Sequence, residues 1–249
     1  MSLLLIGLSI GYCILSFRPQ YEAILYGLLV IHVVTLGWML SGMQWSEPML
    51  GLTLISWLLS VVAVLIVKQP KTKTLVPPVL GSIAVLLMLA MLAPIPSNPP
   101  IEVEMWVALH VMLILIGYVG CIAAGLLGAV YIFVQHKLKE KSLQTVVRYP
   151  SLHRLDELIT VGVWIGVSGL FTGSSAGVLW GLSQERLSLD ITTMGSFALL
   201  LWYGSASFGR VFGRSSRWTA WMSLSGVGVV AVYFFLSAVI GSWHVGGGA

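Results

Sequence analysis

Eight apolar runs, cut at residues 2 to 17, 22 to 40, 49 to 67, 76 to 93, 105 to 134, 158 to 180, 191 to 209 and 218 to 241, decide which solvent this chain can fold in. A helix crossing a hydrocarbon core of roughly 30 Å needs roughly 20 residues, a length most of the runs supply. The first run is short, and the fifth is long enough to continue past the membrane. Strands of a transmembrane barrel would be about half as long and would alternate in polarity. The expectation is therefore all-α: a polytopic membrane protein, a bundle of eight transmembrane helices forming a single integral membrane domain over residues 1 to 249. Composition agrees, with 57% hydrophobic residues, 9% charged residues and a mean hydropathy of +0.95.

Charge placement predicts the orientation. The connections 18–21, 68–75, 135–157 and 210–217 hold 12 of the 13 Lys and Arg residues, whereas the alternate connections hold Arg186 together with Glu47, Glu102, Glu104, Glu185 and Asp190. Basic loops stay cytoplasmic, so both termini are expected outside the cytoplasm. Basic loops facing anionic lipid also explain the pI near 9.2 without nucleic acid. The first run is followed by Arg18 and Pro19 and carries no basic leader or Ala-x-Ala site, which reads as a retained helix. Cys13 and Cys121 lie in separate apolar runs and read as small buried hydrophobes, since neither forms a CxxC or metal pattern.

Two connections stand out. The outer APIPSNPPIEVE, residues 93 to 104, is proline-rich and non-helical. The cytoplasmic stretch 135 to 157 begins as a charged extension of the fifth run and breaks before Pro150. There Ser151 can cap a new turn with Leu152, Leu155, Leu158 and Ile159 on one face. That turn reads either as a surface-lying or partner-receiving segment or as a plain connector. Glycines at near-regular spacing, Gly117, Gly120, Gly125 and Gly128 and then Gly162, Gly166, Gly169, Gly173 and Gly177, predict close approach of helix backbones.

Chemistry has few places to reside. There is no HExxH, no GxSxG and no paired intramembrane Asp, and acidic residues mark helix ends, so hydrolysis and ion-coupled transport are disfavoured and no enzymatic activity is expected. Of five histidines, His136 and His153 belong to the cytoplasmic connection. His32 lies within LLVIHVVTLGWML, His110 within ALHVMLILIGY, and His244 follows Trp243 on the outer side. An intramembrane imidazole is expensive and usually has a partner. At 1.5 Å per residue, His32 lies about 12 Å below the outer end of its run and His110 about 8 Å, depths compatible with an axial pair on one haem iron. The alternative is that each histidine hydrogen-bonds a carbonyl or hydroxyl, Thr35 or Tyr118 for example, and supports helix packing. Of ten tryptophans, Trp45, Trp106, Trp180, Trp218 and Trp243 fall near interfaces.

The series ALHVMLILIGYVGCIAAGLLGAVYIFVQHKLKEK, PSLHRLDELITVGVWIGVSGLFTG and LLLWYGSASFGRVFGRSSRWTAWMSLSGVGVVAVYFF resembles the cytochrome c assembly protein family, and in order and length its small YpjD/HemX-type branch. The resemblance implies haem handling in a bacterial inner membrane. In larger members, histidines flank an outer tryptophan-rich loop that presents haem; His110 matches the first of these and His244 more weakly the second, while His32 resembles a second-helix histidine of the small branch. The tryptophan-rich segment itself is missing: the region reads LWGLSQERLSLDITTMG. Residues Ser207 to Arg210 stand where the larger members carry a late transmembrane histidine. The resemblance implies haem b bound by His32 and His110, with His244 as a third ligand or gate, in a haem carrier, sensor or regulator. Glutamyl-tRNA reductase at the connector 135 to 157 is one implied partner, and a cytochrome c assembly partner another. A haem-free transporter or accessory subunit linked to divalent metal efflux is the remaining rival.

Overall fold

The structure is a computed structural model and describes residues 2–17, 22–40, 47–92, 105–183 and 191–240. Among the described residues every regular element is helical: α1 (Ser2–Phe17), α2 (Glu22–Leu40), α3 (Glu47–Val67), a 3-10 segment (Pro70–Leu75), α4 (Val76–Leu92), α5 (Met105–Lys139), α6 (Leu143–Val146), α7 (Leu152–Ser183), α8 (Ile191–Val211) and α9 (Ser216–Ile240). Each apolar run is thus a helix. Among the described residues five helices are long and apolar enough to cross a membrane, those at 22–40, 49–67, 72–92, 105–139 and 152–183.

Local chemistry sets the helix ends. Ser151 accepts the backbone N–H of Arg154 on its hydroxyl at 3.2 Å, an N-cap directly after Pro150, so α7 starts at Leu152 and not at 158. The turn 152–157 is therefore the first turn of α7, not a separate surface segment. α8 closes on Gly213 at φ +76°, with Arg214 N–H bonded to Gly209 O at 2.8 Å and Gly213 N–H to Arg210 O at 3.1 Å. This is the paired 6→1 and 5→2 arrangement that satisfies the last carbonyls. α5 ends the same way on Lys141, at φ 57°.

The chain divides into two compact units: Met1–Pro100 with Phe133–Arg154, and Ile101–Ile132 with Leu155–Ala249. In the first, α1 and α3 pack on α4, and α2 packs on α1 and α3. The seam is heptad-like: Leu5, Leu8, Tyr12 and Leu15 of α1, and Leu80, Ile83, Leu87 and Ala90 of α4, are all buried. Ser9 fastens it by donating to Ala84 O at 3.0 Å. The opposite faces carry exposed Ile6, Ile10, Ile14, Val85 and Met88, as suits helices with lipid on one side. Cys13 lies on such an exposed face, unlike Cys121, which is buried as expected.

The second unit packs by backbone approach. A Cβ at Gly120 would lie 2.5 Å from Gly166 N, and one at Gly169 2.6 Å from Gly117 N, so α5 and α7 touch through their main chains. α9 meets α5 likewise, where a Cβ at Gly128 would lie 2.6 Å from Ala220 O. Tyr203 of α8 is fully buried over Gly226, its hydroxyl within 3.1 Å of both Cys121 O and Ser223 O. Asp156 at the start of α7 accepts from Arg210 Nη2 at 2.7 Å, and Arg210 Nη1 donates to Ser216 at 3.1 Å. The start of α7, the end of α8 and the start of α9 are thus tied together at one end of this unit.

Candidate functional site

His32 occupies a core position of α2, within the buried series Leu25, Leu28, His32, Thr35 and Met39. Its imidazole is 0% exposed. One tautomer accounts for all of its neighbours. Nε2–H donates to Thr53 O at 3.2 Å, with Ser56 Oγ also 3.2 Å away, and the Tyr12 hydroxyl donates to Nδ1 at 3.4 Å. The Tyr12 and His32 rings are tilted by 57° with centroids 5.9 Å apart. Ser56 and Thr53 complete their own bonding within α3, Ser56 to Thr53 O at 2.8 Å and Thr53 to Met49 O at 2.7 Å. His32 therefore joins α1, α2 and α3 by both ring nitrogens. Thr35, named from sequence as a partner, instead donates to Ile31 O of its own helix at 2.8 Å.

His110 is held differently. It stands near the start of α5, partly exposed, and its Nδ1 lies 2.7 Å from the carbonyl of Gly173 on α7. A carbonyl can only accept, so Nδ1 carries the proton and Nε2 the lone pair of the neutral ring. The imidazole lies over Gly177: a Cβ there would be 2.5 Å from Cε1 and 2.6 Å from Nδ1. Two tryptophans share this end, Trp106 one turn before His110 and 62% exposed, and Trp180 three residues past Gly177.

Sequence reasoning identified both histidines but missed Tyr12, Ser56 and Thr53 around one and Gly173 and Gly177 around the other. For His110 a signal existed, since the four-residue glycine spacing of α7 runs out to Gly177. For His32 the decisive partner is a main-chain oxygen, which no sequence pattern announces. His136 pairs with Glu140 at 2.9 Å on the exposed end of α5. Neighbouring Lys137, bonded to Glu140 at 2.7 Å, is the main cause holding that carboxyl below its usual range. His244, Trp45, Trp243 and the segment 184–190 lie outside the described residues. Among the described residues no three His, Cys, Asp or Glu side chains gather as a metal-ion cluster.

The donor set around His110 suits a haem iron. A metal-bound imidazole ordinarily donates its second N–H to a carbonyl or carboxylate, which fixes ring and tautomer, and Gly173 O supplies that acceptor. The absence of a side chain at Gly177 leaves the volume that the imidazole ring itself occupies. A family model described as Cytochrome C assembly protein matches residues 19–244. No curated protein matches the chain significantly.

Proposed function

The chain belongs to the cytochrome c assembly protein family, and from that premise we propose that it binds haem b through His110 and carries it within the membrane as a non-enzymatic step of cytochrome c biogenesis. The observation supporting His110 is its Nδ1–H bond to Gly173 O, which orients Nε2 as the ligand nitrogen. Haem, when held there, is cargo with an iron that prefers neutral imidazole. The residues of the chain do the rest: Gly173 O orients the ring, and Trp106, one turn before His110, and Trp180, three residues past Gly177, are the aromatic residues on which a macrocycle would stack. His32 acts as the hydrogen-bonded centre of the first unit, because either ring nitrogen would have to release a partner before meeting iron. The bacterial inner membrane is the proposed location and a second assembly protein the proposed recipient, since this chain lacks the tryptophan-rich presenting segment of the larger members.

The test is an absorption spectrum of the detergent-purified protein after adding haem, oxidised and then dithionite-reduced. A Soret band that develops on adding haem and shifts on reduction, lost in His110→Ala and kept in His32→Ala, is the expected result. Loss in both variants would return His32 to the iron as the axial partner. A protein that takes up no haem, or His110→Ala indistinguishable from wild type, overturns the proposal.

A further inference from the structure

Gly173 O does two jobs in α7. By the helix's own 3.6-residue geometry it accepts the N–H of Gly177, four residues on. It also lies 2.7 Å from His110 Nδ1, which approaches from α5. A carbonyl has two lone pairs, so both bonds can coexist. A donor coming from the side must pass the residue four positions later, whose Cβ lies on the same helix face. At position 177 there is none. A Cβ built there would lie 2.5 Å from His110 Cε1, 2.6 Å from Nδ1 and 3.2 Å from Nε2, where 3.4 Å is the near edge of ordinary contact. The ring therefore occupies the volume an alanine methyl would need. The same does not hold at 162, 166, 169 and 173, where the nearest atoms belong to Ala124, Cys121, Gly117 and Ile114, so those positions serve helix packing.

We propose that Gly177 is a positioning residue for His110: by lacking a side chain it opens the second lone pair of Gly173 O to Nδ1–H, and so fixes the tautomer that presents Nε2 to the iron. This rests on the haem reading above only for what Nε2 meets; the tautomer itself is a property of the chain alone. With alanine at 177 the ring must move by roughly 1 Å to regain ordinary contact, enough to break a 2.7 Å bond. Nδ1 then loses its acceptor, and the proton redistributes between the two nitrogens.

The experiment is nitrogen NMR of histidine-labelled protein in lipid nanodiscs, wild type beside Gly177→Ala, with the His110 signals identified by their loss in His110→Asn. Wild type is expected to show one neutral tautomer protonated at Nδ1, and Gly177→Ala to lose that pattern while His32 keeps its own. In a parallel haem titration, Gly177→Ala is expected to bind about 10- to 100-fold more weakly, the usual effect of removing an outer hydrogen bond from a metal ligand. Unchanged His110 signals in Gly177→Ala overturn the proposal, even if haem binds. The Nδ1 pattern present in wild type and lost in Gly177→Ala, in a protein that never takes up haem, leaves the seat standing and removes the haem reading. Should Gly177→Ala fail to fold, the double variant His110→Ala, Gly177→Ala decides. With the ring gone the methyl has space, so folding restored supports the seat, and folding still lost overturns it.

Discussion

In the first unit a fully buried imidazole, His32, reaches neighbours with both nitrogens, while in the second a partly exposed imidazole, His110, bonds a carbonyl through Nδ1. Five glycines of each unit differ in the same sense. Gly7, Gly27, Gly37, Gly51 and Gly81 have nothing within 4 Å of where a Cβ would be, whereas Gly117, Gly120, Gly166, Gly169 and Gly173 meet backbone of the facing helix at 3.2 Å or less. The first unit is built from interlocking side chains with a polar centre, and the second from main chains brought together. The contrast shows why similar residues read alike in sequence and act differently. Polarity in the first unit is consumed internally, whereas in the second the absence of side chains leaves a backbone oxygen within reach of a histidine.

Five substitutions break or sharpen this contrast. His32→Ala removes a large buried side chain together with its bonds to α1 and α3, and is expected to lower unfolding free energy by about 2–5 kcal/mol, as for other buried side chains of that size. His110→Ala should leave thermal unfolding in detergent close to wild type, and the reverse ranking would overturn the division of roles. Gly120→Ala forces a methyl against Gly166 N and is expected to cost about 1–3 kcal/mol in the same measurement. Tyr203→Phe removes a hydroxyl lying between Cys121 O and Ser223 O, and helix-to-helix hydrogen bonds in membranes put its loss at about 0.6–1.7 kcal/mol. Smallest is Gly27→Ala in the first unit, where open space predicts no loss and a gain of up to about 1 kcal/mol. Equal losses for Gly27→Ala and Gly120→Ala would erase the distinction between the units.

The helices were legible because lipid demands long apolar runs, and that demand leaves a mark in composition that tertiary packing cannot override. Boundaries were less so. The charged continuation of the fifth run signals that α5 reaches past residue 134, and Leu152, Leu155, Leu158 and Ile159 signal a helical face, but neither fixes the ends at Lys139 and Leu152. The stop at Pro150 and the cap at Ser151 were readable as chemistry, but the continuity of that turn with α7 was not. At the candidate site the histidines were visible as polar residues in the wrong solvent. Their partners were not, since Thr53 O and Gly173 O are main-chain atoms that every residue possesses. Cys13 was misplaced for a related reason: in a helix bathed by lipid, an apolar residue faces outward as readily as inward.

The contact of α5 with α7 through bare backbone has a mechanical meaning. From Gly162 to Gly177 the two helices share about 22 Å of length at 1.5 Å per residue. Along it Gly117 and Gly120 leave few protruding groups that could swing to another rotamer and let one helix creep past the other. Two slender rods fused along a side resist flexing far more than either does singly. His110 and the Asp156–Arg210 pair thus stand toward opposite ends of one stiffened helix pair.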